Sequence, residues 1–413
     1  MSIPVRLATA IAILCIAPAL AQQKVNPPIA TYWMSIDTAS GLPMGGAGGT
    51  PSMMDLGRMM MGGGMEGGAS RSILLELGSQ RSAGGTPSAT HEIPPGLNMG
   101  ASLPLETPQR APRAEPREDG MPENFEKPRG RLLIFWGCGE QAGSGQPYVI
   151  DFAKMAQGQV PPGLFGRRIN VQRGPSQSRS KTYGDWPNPT DSTRVAADGS
   201  LRGEHVVKGN YSPDIRFSLS EKYDFMAPVN LAQRRSGGGV NLSWNSVANA
   251  QGYFATAMGS RDGSEDVVFW SSSNSREFGE LLMTWLAPAE VARLVREKVV
   301  LSPSTTECTV PSQFVKAAPS AFLRFIAYGE EANFAHPPRP QDPKTPWNPE
   351  WAVKVRLKST ASALLGEEGG MGSGSRAGNA PAQGGSQGSS GAATPAIDPV
   401  QEGIKALRGL FGR

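Results

Sequence analysis

Along most of this chain apolar residues alternate with polar ones, the pattern of strands that bury one face. It is cleanest at residues 352–358, where Val353, Val355 and Leu357 fall on one side and Lys354, Arg356 and Lys358 on the other. Residues 31–38 set Tyr32, Met34 and Ile36 on one face, and residues 72–77 align Ile73, Leu75 and Leu77. Residues 132–136 are apolar on both faces, as suits a strand in the middle of a sheet. Residues 148–152, 205–208, 215–219, 240–244, 253–258, 267–270 and 321–328 read as further strands, with a turn at Arg261-Asp-Gly-Ser264. One stretch differs. Between 275 and 300 the period becomes helical: Phe278, Leu281, Leu282 and Trp285 fit one face, and after Pro288 so do Val291, Leu294, Val295 and Val299.

These patterns predict a mainly β protein with two β-sandwich-like domains and Gly-rich disordered segments. Residues 22–160 are expected to form a β-rich domain, interrupted at 41–70 by a Gly/Met-rich insertion with no period that can bury a face. Residues 161–203, full of Gly, Pro, Arg and Ser, read as a linker; residues 204–361 then form the second domain, with the helical insertion at 275–300. Within that domain Leu242 and Trp244 alternate with polar neighbours. A short polar loop follows, and Ala250-Gln-Gly-Tyr253 opens the next apolar run. This L-x-W, A-x-G-Y pattern resembles the second and third strands of fibronectin type III modules, whose Trp and Tyr fill the core between two sheets. The resemblance implies an immunoglobulin-like sandwich over about residues 206–360. It is good across 240–253, tolerable across 321–328, and absent over the helical insertion. The family shares no active site, so the resemblance implies a scaffold and names no activity.

The N-terminus fits an export signal, and the chain as a whole resembles exported bacterial proteins. Arg6 is the only early charge, an apolar run extends from Leu7 to Leu20, and Ala19-Leu20-Ala21 is a small-x-small cleavage site before Gln22. The run is short for a membrane span, and no later one approaches the ~20 apolar residues required. Residues 1–21 are therefore expected to be a signal peptide and the mature chain to be periplasmic or secreted. Cleavage removes Cys15 and leaves Cys138 and Cys308, which form one disulfide or stay as two buried thiols. At the other end, residues 362–398 are a Gly/Ser-rich linker to an amphipathic tail at 399–413. There Ile404, Leu407 and Phe411 share a helical face suited to docking on a membrane surface or a partner groove, while Gly403, Gly409 and Gly412 favour a frayed end.

Candidate chemistry is sparse. The net charge of +4 is dispersed, and Arg167, Arg168, Arg173, Arg179 and Lys181 have no period that gathers them on one face, so no nucleic-acid partner is expected. Met53, Met54, Met59, Met60, Met61 and Met65 offer soft thioethers in a flexible loop, a ligand set for Cu(I), or else form a low-complexity insertion. Cys138, between two glycines after an apolar strand, is a weak candidate nucleophile, with His205 or His336 as base and Glu140 or Asp151 to orient it. Metalloprotease, serine-hydrolase, P-loop and EF-hand motifs are missing from the sequence. Trp270, Trp285, Trp347 and Trp351 offer sugar-stacking faces if exposed and core if not. The sequence therefore points to a non-catalytic envelope or interaction protein with an unidentified envelope or surface partner. Periplasmic Cu(I) binding and a Cys-dependent hydrolase are the alternatives.

Overall fold

The computed structural model describes residues 23–42, 69–108, 130–157, 159, 168–261, 263–277 and 280–366. The expected signal peptide, the Met-rich tract and the C-terminal tail lie outside these residues. Within them the protein is mainly β. The first half supplies β1 (Ala30–Gly41), β2 (Ser70–Ser79), β3 (Ala89–Glu92), β4 (Ser102–Leu105), β5 (Arg131–Trp136), β6 (Tyr148–Asp151) and β7 (Thr182–Trp186). Next come β8 (Gly203–Gly209), β9 (Ile215–Leu219), β10 (Ala232–Ser236), β11 (Gly239–Ser243), β12 (Gly252–Ser260) and β13 (Val267–Ser271). After the helical insertion follow β14 (Glu307–Val310), β15 (Phe322–His336) and β16 (Trp351–Leu364).

These strands form three sheets. A nine-stranded sheet runs β6-β5-β13-β12-β15-β16-β1-β2-β7, a three-stranded sheet β10-β11-β14, and a four-stranded sheet β4-β3-β8-β9. Inside the large sheet the first described strand joins the last: β1 lies parallel to β16 from Ala30↔Trp351 to Gly41↔Ser362. Alternation then decides the layers. Tyr32, Met34 and Ile36 stand in register with Val353, Val355 and Leu357, and all six are buried. With Tyr253, Phe325 and Trp270 they line the inner face, against which both small sheets pack in one apolar cluster.

The opposite face of the large sheet carries the helical insertion. Pro288 opens an α-helix, Pro288–Arg296, at a position where its missing N–H costs nothing. Val291 and Leu294 of that helix, then Val299 and Val300, bury against Phe254 and Ile326. Each such side chain contributes about 1.5–3 kcal/mol by leaving water. The stretch before it departs from the expected face. Residues Glu280–Met283 form a 3-10 turn, so Leu282, Met283 and Leu286 are buried while Leu281 is 52% exposed and Trp285 half-buried. Three residues per turn rotate the apolar stripe away from a 3.6-residue spacing.

Two features of the organisation differ from the expectation. The strands at 205–208 and 215–219, read as parts of the sandwich, pair as β8 and β9 with β3 and β4 from the first half. The expected linker supplies β7, which pairs with β2, and its Ile169 and Val171 pack into the helical layer. Strands from before residue 161 and after residue 204 therefore share sheets.

Candidate functional site

The structure places the candidate nucleophile in a covalent tie. β5 ends at Trp136, and Gly137 turns the chain with φ +93°, a conformation glycine adopts without a Cβ penalty. Cys138 then bonds Cys308 of β14, with S–S 2.11 Å across a separation of 170 residues. Backbone hydrogen bonds hold the same junction: Gly139 N–H donates to Thr309 O at 2.8 Å, and Ser312 N–H to Glu140 O at 3.0 Å. With its sulfur in a bridge, Cys138 offers no thiolate. Of the proposed helpers Glu140 is at this junction, two residues along the chain, and the others lie elsewhere. His205 is bonded to His91 and to Leu201 O, His336 stacks on Trp351, and Asp151 caps the helix Phe152–Ala156.

The chemically densest cluster inside the core is a relay that the sequence did not single out. Tyr32 Oη lies 2.9 Å from His91 Nδ1, His91 Nε2 lies 3.0 Å from His205 Nδ1, and His205 Nε2 lies 2.7 Å from Leu201 O. All three side chains are buried. The carbonyl end sets every proton. A carbonyl only accepts, so His205 carries its proton on Nε2 and accepts at Nδ1. His91 therefore donates from Nε2 and accepts at Nδ1, and the Tyr32 hydroxyl donates to it. Every ring nitrogen and the Tyr32 hydroxyl proton are used with both rings neutral. Burial pushes the His91 pKa well below its ordinary value, helped by the neighbouring His205 ring. Burial also lowers His205, opposed by the hydrogen bond to Leu201 O. Phe217 of β9 lies flat on His205, with ring centroids 5.0 Å apart. The signal in sequence is slight: Ala89-Thr-His91-Glu-Ile93 puts His91 on the same side as two apolar residues.

On the outer face of the large sheet, cations and aromatic rings interleave. The Arg356 guanidinium sits 4.6 Å from the Trp33 ring centroid and 4.9 Å from that of Trp285, and its Nε donates to Ser35 Oγ at 2.7 Å. Lys358 lies 4.0 Å from the Trp285 ring and 3.4 Å from Asp37. Lys354 pairs with Glu331, which also accepts from Gln172. Each cation has an acid in reach, which marks this ladder as the fastening of Trp285 and the 168–174 segment to the sheet. Burial pushes the Asp37 carboxyl up and works against the charge of Arg356.

The tryptophans divide by exposure. Trp270 and Trp351 are buried, and Trp285 and Trp347 are half-buried. Among the described residues no three His, Cys, Asp or Glu side chains gather as a metal site, and no helix is long and apolar enough to cross a membrane. Met53, Met54, Met59, Met60, Met61, Met65, Ile404, Leu407 and Phe411 fall outside those residues. The chain matches no family model and no curated protein.

Proposed function

We propose that this is a non-catalytic exported interaction protein whose sandwich follows the fibronectin type III plan. The observation that carries the reading is the strand order. Strands β10-β11-β14 face β13-β12-β15-β16, three against four, and Trp244 packs between them on Tyr253 and Phe325 with centroids 5.6 and 4.7 Å away. Such a sandwich offers faces and loops to partners and needs no active site. The Cys138–Cys308 bridge supports an oxidising compartment, periplasmic or secreted. Its partner is then an envelope or surface protein, with Ile404, Leu407 and Phe411 of the tail making peripheral contact with that partner or with the membrane.

The test is the intact mass of the full-length gene product in each cell fraction. The reading expects export, cleavage after Ala21 and the loss of two hydrogens to the bridge. A chain that keeps Met1 and two free thiols in the cytoplasm overturns it. A second measurement addresses the partner: in-cell crosslinking with the full chain should give an adduct that a chain ending at Gly366 lacks or yields weakly.

Cu(I) binding is the second reading, favoured by one observation. β1 and β2 pair up to Ala39↔Ser70, so the tract carrying Met53, Met54, Met59, Met60, Met61 and Met65 is closed at its base. Holding the ends together removes part of the entropy that a ligand loop loses on binding. Competition for Cu(I) against a chromogenic chelator tests this. Replacing all six by Leu should abolish binding, and equal retention by both chains ends the idea.

A further inference from the structure

We propose that the Tyr32–His91–His205 relay is an acid-sensitive clamp, which releases the four-stranded sheet from the nine-stranded one while the remaining fold persists. The relay spans the two layers: Tyr32 belongs to β1 of the large sheet, His91 and His205 to β3 and β8 of the small one. One more proton cannot enter without breaking the bond that the Tyr32 hydroxyl makes. A proton arriving at His205 Nδ1 would face the N–H of His91 Nε2, so the bonding must shift until His91 carries a proton on Nδ1. That N–H then points at the Tyr32 oxygen, and the hydroxyl must turn away from the bond it made.

No carboxylate acts directly on either ring to balance the resulting cation. The groups facing it are Tyr32 from β1, Tyr211, whose hydroxyl acts on Tyr32, Phe217 from β9, and Phe334 of β15 tilted against Phe217; beyond the Leu201 peptide lies Asp224, which accepts from Leu201 N–H at 2.8 Å and is paired with Arg202. Alternation turns the neighbouring acids outward, where Glu92 pairs with Lys208 and Glu204 with Arg216. Asp185 acts on Tyr211 and contributes to neither histidine. A buried charge without a counter-charge is relieved by opening the layer to water.

The two small sheets are tied down differently, which makes the opening local. The three-stranded sheet is bonded through Cys308 to the loop after β5. The four-stranded sheet and its flanking loops meet the large one with no such bridge, through side-chain packing, the relay, the backbone pair Glu106–Asp185 at 2.9 and 3.0 Å, and marginal polar contacts that include Asn188 to Pro104 O, Ser79 to Tyr211 O and the Lys222–Glu330 pair. The lowered histidine values set the sign. The open form takes up protons near the ordinary value of 6.5 while the closed form does so only at lower pH. Closure is therefore fully favoured above about pH 6.5 and weakens as pH falls below it. Between pH 7.5 and pH 5.0 a histidine that stays neutral in the closed form raises the opening constant by up to about 30-fold, and two raise it by up to about 1000-fold.

The experiment is hydrogen exchange by mass spectrometry on the full chain at both pH values, corrected for the intrinsic rate. The proposal expects peptides covering β3, β4, β8 and β9 to lose at least tenfold protection at pH 5.0, with β12 and β15 unchanged. A smaller loss, or an equal loss in β12 and β15, overturns it. The His91→Phe/His205→Phe chain should show no such step. If that variant does not fold, the ring nitrogens of the natural protein decide. Two rings should show the Nε2–H tautomer at pH 7.5 and should titrate only as the β3 and β8 amides broaden. Titration of either ring near 6.5 with those amides unchanged overturns the proposal.

Discussion

Removing the Cys138–Cys308 bridge should weaken the protein through its unfolded state, with the native arrangement kept. The bridge closes a separation of 170 residues. In the chain-entropy description, releasing a loop of that length restores about 5 kcal/mol of freedom to the unfolded chain. The native state has other means of holding the junction, namely the Gly139–Thr309 and Ser312–Glu140 backbone bonds and the packing of Phe314 on Phe135 at 5.9 Å. Cys308 is only 3% exposed, so a serine there would add a buried hydroxyl; the pair Cys138→Ser/Cys308→Ala avoids that confusion. Urea unfolding followed by circular dichroism compares this variant with the oxidised protein. For a slope near 3 kcal/mol/M, the midpoint should fall by at least roughly 1.7 M, and the slope should rise because an uncrosslinked chain exposes more surface. A loss below about 1 kcal/mol with an unchanged slope would refute the entropic account. So would native-state exchange showing that the 137–140 loop has moved.

Two further predictions concern the outer layer and the bulge beneath it. Glu290 accepts hydrogen bonds from Arg293 and from the Asn170 backbone and side-chain N–H groups, which hold its carboxyl at about 2 against an ordinary 4.5. Glu290→Gln should cost up to about 3 kcal/mol at neutral pH; because the folded value is the lower one, the gap in Tm between the two chains should close as pH falls from 4.5 towards 2. A gap that stays constant over that range contradicts the assignment. Gly329 sits in the register shift between Tyr328 and Glu331, where an added Cβ would lie 2.5 Å from Met226 Sδ and 2.7 Å from Leu357 O. Because one of those atoms is backbone, Gly329→Ala should destabilise by about 1–3 kcal/mol in thermal unfolding, and a neutral result would mean that the bulge gives way.

Much of the fold was legible because alternation is a local property. The runs at 31–38, 72–77, 132–136 and 352–358 all became strands, and the change of period near 288 became a helix. The strands that escaped notice carry little pattern. β10 reads Ala-Gln-Arg-Arg-Ser and lies at a sheet edge, where a half-exposed strand has no apolar face to display. β3 and β4 are four residues each, and β4 contains Pro104, which is tolerated at an edge. The relay was unreadable for a different reason. His91 and His205 stand 114 positions apart, and nothing in either neighbourhood signals the other.

By itself the sequence determined the mainly β character, the place of the helical insertion, the Trp244–Tyr253 core and the two cysteines able to meet. Tertiary structure alone decided which strands share a sheet. A half-buried strand has the same alternation whatever its partner, so β8 and β9 could not reveal that they belong with β3 and β4. It also decided that Cys138 would be spent in a bridge and that the histidines would meet in a neutral, fully bonded relay. Those outcomes depend on contacts between residues far apart in the chain, and only the closed core brings them within reach.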